Sequence, residues 1–254
     1  NLSFSYRRDH PTLRDISFQV RKGEFFSLLG PNGSGKTTLL RLLNRILVPH
    51  SGVVHLFEKR LSDYSRTEIA RRIAFIPQDT TIQFPFTVME IVLMARAPHT
   101  RGKMFESEHD RAIAERMLKI ADVRHLADQP ITTLSGGERQ RVVIARALAQ
   151  EPEVLLMDEP NAHLDIAHQI DVFNMVKKLI KEQGLTVVAV SHDLNLASAY
   201  SDRVALLVCG SLTATGTPHE VFTENNIQEV FRTHVVVDRH PRGNSPRITL
   251  IPSP

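Results

Sequence analysis

One octapeptide constrains the fold of this chain more than any other segment. Residues 30–37 read Gly-Pro-Asn-Gly-Ser-Gly-Lys-Thr and match the phosphate-binding loop pattern G-x-x-x-x-G-K-[ST]. A mostly apolar run, 24–29, precedes the loop and a helix-like segment, 38–43, follows it, which is the strand–loop–helix context that the motif requires. The glycines let backbone N–H groups converge on one anion, and the helix N-terminus adds partial positive charge there. We predict that Lys36 reaches the β and γ phosphates and that the Thr37 hydroxyl binds Mg²⁺.

Composition narrows the class of protein. The chain has 254 residues, enough for one large domain or for a core with a subdomain. Its net charge of +3 comes without a concentrated run of Lys and Arg, so no nucleic-acid partner is predicted. The one cysteine, Cys209, excludes an internal disulfide and fits a reducing compartment. No run approaches about 18 apolar residues, so no membrane-spanning helix is predicted. The sequence opens without a signal-peptide pattern, and Asn1 already lies in a strand-like segment, so we expect the natural protein to begin upstream.

Strand-like and helix-like segments alternate along most of the chain, which predicts an α/β fold with a mainly parallel sheet. The first two strand-like segments, 2–6 and 13–20, have no helix between them and predict an antiparallel β patch beside that sheet. Residues 87–127 carry helical patterns without a strand signal, which predicts an inserted helical subdomain. The tail, 235–254, mixes a β-rich triplet with Pro and Gly. We predict a single domain, 1–254, with the α/β core at about 1–86 and 128–254 and the helical subdomain at about 87–127.

Two acidic residues follow a second apolar strand. Residues 154–157 read Val-Leu-Leu-Met and lead directly into Asp158 and Glu159. Ligands of parallel sheets bind at the carboxyl ends of the strands. We therefore predict that Asp158 holds Mg²⁺, partly through water, and that Glu159 polarises an attacking water. The alternative is a pair of surface acids in a turn.

A helix start with two glycines is the third informative segment. Residues 134–140 read Leu-Ser-Gly-Gly-Glu-Arg-Gln, in which Ser135 and Glu138 form an S-x-x-E capping box. The same capping pattern occurs at Ser65 and at Thr87. Capping alone does not require a glycine pair, which costs about 1 kcal/mol per residue in helix propensity. The pair instead exposes first-turn N–H groups to an anion, so a second anion-facing helix start is predicted.

Together these residues resemble the nucleotide-binding subunit of an ATP-binding cassette (ABC) transporter, along nearly the full length of the chain. Residues 30–37 match the Walker A loop of that family, 134–140 its signature motif, and 154–159 its Walker B strand with the catalytic glutamate. The resemblance implies a P-loop NTPase (RecA-like) fold. An alternative with the same loop is a phosphate-loop kinase. Such kinases lack the signature motif, so its presence argues against a kinase.

Further roles follow from the resemblance alone. Gln78 matches the loop glutamine that contacts Mg²⁺ and links to the membrane subunit, and His192 matches the switch histidine near the γ-phosphate. Leu164 and Asp165 match the D-loop at the dimer interface. Tyr6 falls where the family stacks an aromatic ring on adenine, although an aromatic residue at this position alone is more typical of a core strand.

The predicted site residues fall into five groups. The catalytic residues are Lys36, Gln78, Glu159 and His192, and the Mg²⁺ ligands are Thr37, Gln78 and Asp158. The ATP contacts are Tyr6, Gly30, Pro31, Asn32, Gly33, Ser34, Gly35, Lys36, Thr37 and Thr38. The contacts to the ATP of the opposite subunit are Ser135, Gly136, Gly137 and Glu138. The dimer interface includes Leu164 and Asp165.

The resemblance also implies partners and a location. Such subunits form a head-to-tail homodimer, with each ATP between the Walker A loop of one copy and the signature motif of the other. Closure of the dimer drives integral-membrane permease subunits, which hold the ATPase subunits at the cytoplasmic face of the cell membrane, and a solute-binding protein takes part indirectly. The family usually has Thr or Ser after the Glu-Pro of Walker B, where this chain has Asn161.

Four segments resemble the importers of iron chelates (siderophores), haem and cobalamin: 87–99, 163–169, 191–200 and 216–221. An importer of zinc or manganese is the nearest alternative. A soluble ABC ATPase of DNA repair or of the ribosome would carry a coiled-coil insert or a second cassette, and an exporter ATPase is normally fused to a membrane domain. Phe84, Phe86 and Met94 are candidates for docking the permease, although for each residue taken alone packing inside the subdomain is the favoured interpretation. His168 is interpreted as a helix-surface residue.

Overall fold

The structure is a computed structural model that describes residues 1–7, 10–80, 82–99, 107–160 and 165–251. The chain divides into two compact units, one formed by Asn1–Asp63 with Thr186–Pro254 and the other by Tyr64–Leu185. The expected boundaries of a helical subdomain at 87 and 127 stay a prediction.

The first unit contains the strand that leads into the phosphate loop, residues 30–37. That strand, β3 (Phe25–Leu29), lies between two parallel neighbours, β8 (Thr186–Val190) and β9 (Arg203–Val208). β10 (Ser211–Gly216) pairs antiparallel with β9. Every residue of β3 and of β8 is buried, as expected for parallel strands that are covered on both faces.

A separate antiparallel pair forms the β patch of this unit. β1 (Leu2–Arg7) pairs with β2 (His10–Ile16). The second strand therefore ends earlier than the predicted segment 13–20. The physical reason is the register: Ile16 already lies opposite Leu2, where β1 begins, so later residues have no partner strand.

The remaining elements before residue 64 are short. α1 (Lys36–Leu43) follows the phosphate loop directly, and β4 (His55–Leu56) pairs with β5 (Lys59–Arg60) in a small hairpin. The buried face of α1 packs Leu39, Leu40 and Leu42 into the unit.

The last part of the first unit packs three helices and a hairpin. These are α7 (Leu194–Tyr200), α8 (Pro218–Val221), α9 (Glu224–Phe231) and the antiparallel strands β11 (Val235–Arg239) and β12 (Pro246–Leu250). One cluster of buried side chains joins them to the sheet: Leu29, Ala197, Val204, Leu206, Val221, Phe222, Ile227, Val230, Val235 and Ile248. Each large apolar side chain buried here contributes about 1.5–3 kcal/mol.

The second unit has a parallel strand pair that carries the acidic residues. α2 (Arg66–Arg72) runs into β6 (Ile73–Ile76), which pairs parallel with β7 (Val154–Asp158). The backbone N–H of Glu153 donates to the carbonyl of Arg72 at 2.8 Å and fixes the start of this pairing.

Helices make up most of the rest of the second unit. They are α3 (Val88–Leu93), α4 (Glu108–Ile120), α5 (Gly136–Ala149) and α6 (Ile166–Gln183). The predicted capping boxes are present at Ser65, Thr87 and Ser135, each with its glutamate three residues later. Within the described ranges, no helix combines the length and the apolar character that crossing a membrane requires.

Candidate functional site

Two backbone carbonyls of the phosphate loop hold its lysine in place. Lys36 is buried, and its Nζ donates to the carbonyl oxygens of Gly30 and Pro31, both at 2.9 Å. Lys36 is also the first residue of α1, so the ammonium group lies at a helix N-terminus. The ammonium charge and the partial positive charge of the helix N-terminus both favour binding of an anion at the loop.

Two glycines of the loop are required by their surroundings. Gly30 has a φ of 151°, and a Cβ there would lie 2.0 Å from the carbonyl oxygen of Leu207. Gly35 has a φ of 104°, and a Cβ there would lie 2.7 Å from Cδ2 of Leu13. The loop therefore needs glycine for close approach of its neighbours as well as for its backbone angles.

Ser34 supports an anionic ligand in this loop. Its side chain is 3% exposed, and its hydroxyl oxygen has no hydrogen-bond partner among the residues that the structure describes. A buried polar group left unsatisfied costs about 1–3 kcal/mol, so such an atom is expected where a ligand completes the bonding.

Tyr6 presents an aromatic surface in the same unit. Its side chain is 56% exposed, and its hydroxyl lies 3.5 Å from Oγ1 of Thr38 in α1. Its ring meets the ring of Phe4 edge-on at 5.0 Å between centroids. Tyr6 is thus not packed into the core, and its ring is accessible to a planar ligand.

His192 lies in the first unit as well. It is exposed and follows β8 directly after Ser191, which is buried. The next residue, Asp193, caps α7, and its carboxylate accepts the N–H of Leu196 at 2.9 Å. The histidine is therefore placed at the carboxyl end of a buried parallel strand, the edge where ligands bind.

In the second unit, the structure brings together the predicted glutamine and glutamate. Gln78 lies two residues beyond β6, and its Nε2 donates to Oε2 of Glu159 at 2.9 Å. Glu159 has a φ of 51°, a left-handed backbone that a non-glycine residue adopts at a cost. Asp158 ends β7 and is 2% exposed.

The signature turn, residues 135–138, forms the first turn of α5 and its cap. Oγ of Ser135 donates to Oε2 of Glu138 at 2.6 Å, and the N–H of Glu138 donates to the same hydroxyl at 3.3 Å. The hydrogen bond from the Ser135 hydroxyl, followed by that from its backbone N–H, holds the pKa of Glu138 below its usual value. A Cβ on Gly136 would meet nothing within 4 Å, so the outer side of the turn is open.

Asp165 begins α6. Its carboxylate accepts the backbone N–H of His168 at 2.9 Å and lies 2.7 Å from Nδ1 of the same residue. Both hydrogen bonds lower the pKa of Asp165, and the one from the backbone N–H has the larger effect. Leu164 and Asn161 lie outside the described residues.

The donors predicted for Mg²⁺ have suitable chemistry. Thr37, Gln78 and Asp158 offer a hydroxyl, an amide and a carboxylate oxygen, the hard ligands that Mg²⁺ prefers alongside phosphate oxygens and water. The buried carboxylate of Asp158 at the end of a parallel strand fits such an ion.

Sequence reasoning missed two contacts in the second unit. The side chain of His168 is 40% exposed, which agrees with its interpretation as a helix-surface residue, but its ring also lies beside Gly137, where an added Cβ would be 2.9 Å from its Cδ2. Arg96 is buried and pairs with Asp110. The available signal for Arg96 was a charged residue at the end of an apolar helix, and for His168 its spacing of three from Asp165.

A tethered lysine in a glycine loop between a buried strand and a helix defines a phosphate-loop nucleotide-binding protein. The profile of the family described as ABC transporter matches residues 13–162, more than half of the chain. The chain therefore belongs to the ABC transporter family.

Known proteins of this family match most of the chain. The hemin import ATP-binding protein HmuV of Rhodococcus jostii (strain RHA1) is 43% identical over 235 residues, which are 92% of this chain and 80% of that protein. The structure of an inward-facing metal-chelate type ABC transporter matches with a TM-score of 0.87 and 30% identity, over 99% of this chain and 95% of that chain. The dimeric structure of the bacterial ABC transporter cassette MJ0796 matches with a TM-score of 0.76 and 32% identity, over 85% and 96%. These matches confirm the family resemblance and the predicted α/β phosphate-loop fold.

Proposed function

We propose that this chain is the ATP-hydrolysing subunit of an ABC importer for an iron–siderophore complex, haem or cobalamin. The observation that supports the proposal is the presence of two helix starts whose geometry could accept an anion: the phosphate loop with its tethered Lys36, and the open, capped signature turn. One nucleotide needs one phosphate loop, so the second helix start is accounted for by a second nucleotide.

ATP binding is assigned to the first helix start. The loop N–H groups and Lys36 hold the β and γ phosphates, Ser34 gains a partner, and the exposed ring of Tyr6 stacks on adenine. The remaining contacts come from the loop backbone and Thr38.

Hydrolysis is assigned to Glu159 as general base, with Gln78 orienting its carboxylate through the hydrogen bond at 2.9 Å. His192 contributes a hydrogen bond to the γ-phosphate. Thr37, Gln78 and Asp158 would hold Mg²⁺, which neutralises charge on the phosphate oxygens when it is bound.

A head-to-tail homodimer supplies the second nucleotide. In it, residues 135–138 of one copy face the ATP bound to the phosphate loop of the other, and Asp165 with Leu164 lies at the interface. The dimeric form of the similar cassette MJ0796 supports this assembly. Because each copy contributes half of each site, hydrolysis depends on pairing.

Coupling to import is assigned to exposed apolar residues of the second unit. Phe84, Phe86 and Met94 are 69%, 39% and 47% exposed, and the two phenylalanine rings lie 6.1 Å apart. Large exposed apolar side chains that cluster mark interaction sites, and we assign them to a permease in the cell membrane, with the chain at its cytoplasmic face. The hemin import relative and the metal-chelate transporter support the class of cargo, and a solute-binding protein acts only through the permease.

The Glu159→Gln variant tests this proposal. Without the carboxylate it binds ATP but does not activate water, so it should elute as a dimer from a size-exclusion column run with ATP and Mg²⁺. The same variant with Lys36→Ala is the matched control and should elute as a monomer. If Glu159→Gln remains monomeric with ATP, the proposed roles of Glu159 and of the dimer are wrong.

A further inference from the structure

The two glycines of the signature turn have different surroundings. A Cβ built on Gly137 would lie 2.9 Å from Cδ2 of His168 and 3.1 Å from its Nε2. A Cβ on the neighbouring Gly136 would meet nothing within 4 Å. Neither glycine has a left-handed backbone, so the ring of His168 is the steric reason in this structure for glycine at 137.

The ring of His168 is held in place from the other side. Its Nδ1 lies 2.7 Å from Oδ1 of Asp165, and its backbone N–H donates to the same oxygen at 2.9 Å. Moving the ring away from Gly137 therefore breaks a hydrogen bond to the carboxylate that begins α6.

Two further contacts join α5 to the chain around that carboxylate. Nε2 of the buried Gln140 donates to the carbonyl of Pro160 at 2.8 Å, and Nη2 of Arg141 lies 2.6 Å from Oδ2 of Asp171. Residues 137, 140 and 141 lie on one face of α5, since they are three and four positions apart. This face of α5 therefore contacts the chain at Pro160, before residues 161–164, and at Asp171, after them.

We propose that His168 is a positioning residue that seats the signature turn against the first turn of α6. Its ring fixes the direction in which residues 135–138 present their N–H groups, and Gly137 is glycine in part to admit the ring. The inference rests on the proposed function, because only there does the turn face a nucleotide.

A double-mutant comparison in the full chain separates this role from the need for small residues near a phosphate. The variants are Gly137→Ala, His168→Ala and their combination, with Gly136→Ala alone and with His168→Ala as matched controls. Gly137→Ala should lower the unfolding temperature by about 3–8 °C through overpacking. In the His168→Ala background the same substitution should lose at least half of that effect, while Gly136→Ala should not lower the unfolding temperature in either background.

Nucleotide kinetics test the positioning role itself. His168→Ala should raise the ATP concentration for half-maximal turnover about five- to tenfold, with kcat within about twofold of the unmodified chain. His168→Asn, whose amide can donate to Asp165, should recover most of that loss. A lower unfolding temperature without a change in ATP dependence indicates a merely structural residue and overturns the proposal.

An equal effect of Gly137→Ala in both backgrounds also overturns the proposal, because it removes the steric link. These outcomes are distinguishable from a failure of the proposed function. Normal turnover in Lys36→Ala contradicts the ATPase assignment, whereas the coupling of unfolding temperatures between 137 and 168 is measured without nucleotide.

Discussion

Lys36 illustrates how a single residue prepares the site. Its ammonium nitrogen bridges the carbonyls of Gly30 and Pro31, which hold a positive charge at the start of α1. In the site that we propose, phosphate oxygens would replace or join these carbonyls without reorganisation of the lysine, and a preorganised charge stabilises a transition state more than a mobile one.

Replacing this lysine should abolish turnover. Lys36→Ala removes the charge that we propose binds the β and γ phosphates, and we expect ATP hydrolysis to fall at least about 100-fold, as for loss of other preorganised donors. Release of inorganic phosphate measures it. Lys22→Ala, an exposed lysine in a turn of the same unit, is the control and should hydrolyse ATP normally. Turnover of Lys36→Ala within twofold of the control would contradict the assignment of the loop.

At the scale of residues, the sequence predicts what depends on local spacing. The roles in the phosphate loop and the capping of Ser135 by Glu138 follow from neighbours within eight positions, and the geometry of the capping box is confirmed. The hydrogen bond from Gln78 to Glu159 and the contact of His168 with Gly137 depend on how strands and helices pack. No periodicity in the sequence indicates them.

At the scale of elements, a buried ion pair ties three helical segments together. Nε of Arg96 lies 2.9 Å from Oδ1 of Asp110, near the start of α4, and its Nη1 donates at 2.7 Å to the carbonyl of Ala149, the last residue of α5. Arg96 is 2% exposed. The pKa of Asp110 is lowered to about 2, chiefly by the hydrogen bond from the hydroxyl of Ser107. Burial is the next largest effect and acts to raise the pKa, whereas the hydrogen bond from Arg96 lowers it further.

The pair should make stability depend on acid. Because the folded pKa of about 2 lies below the ordinary value of 3.8, the contribution of Asp110 is fully present above that ordinary value and is lost as the pH falls towards 2. Asp110→Asn should therefore lower the free energy of unfolding by about 1–3 kcal/mol at pH 7. The difference from the unmodified chain should shrink below about pH 4.

Urea titrations at several pH values measure this difference. Asp128→Asn, which changes an exposed aspartate of the same unit, should leave the free energy of unfolding within about 0.5 kcal/mol. A deficit of Asp110→Asn that stays constant from pH 7 down to pH 2.5 would show that the carboxylate charge is not what stabilises these helices.

Elements with local signals were predicted, and those that depend on distant partners were not. Capping boxes marked the helices that begin after Ser65, Thr87 and Ser135. The hairpin of β11 and β12 was missed, because residues distant in sequence help to hold it in place, among them Asn195. The side-chain amide of Asn195 accepts the N–H of Ile248 at 2.9 Å and donates to its carbonyl at 3.1 Å, across a separation of 53 positions.

At the scale of the whole molecule, the predicted site residues are divided between the two compact units. The phosphate loop, Tyr6 and His192 belong to the first unit, and the acidic pair with the signature turn belongs to the second. The sequence predicted the α/β class of the fold, since strand–helix alternation is a property of the chain. It named Phe84, Phe86 and Met94 as candidates for a docking surface but could not decide between their exposure and their packing inside the subdomain, since exposure depends on tertiary packing.

Exposure gives the prediction for assembly. Phe84→Ser removes a side chain that is 69% exposed, so ATP hydrolysis by the isolated chain should stay within about twofold, as for other surface changes. Co-purification with the permease from detergent-solubilised membranes should fall at least about tenfold, as expected for a buried aromatic anchor of an interface. Leu250→Ser, at 70% exposure on β12, is the matched control and should co-purify normally. Equal recovery of both variants would place the permease contact elsewhere.

The backbone of Glu159 has a consequence for any attempt to make this protein sturdier. A left-handed conformation at a non-glycine residue costs about 1–2 kcal/mol, and glycine adopts the same angles without that cost. Screening for heat resistance alone would therefore favour glycine at this position and discard the carboxylate. At this residue thermal stability and ATP hydrolysis favour different amino acids, so a screen for stable variants must also select for hydrolysis.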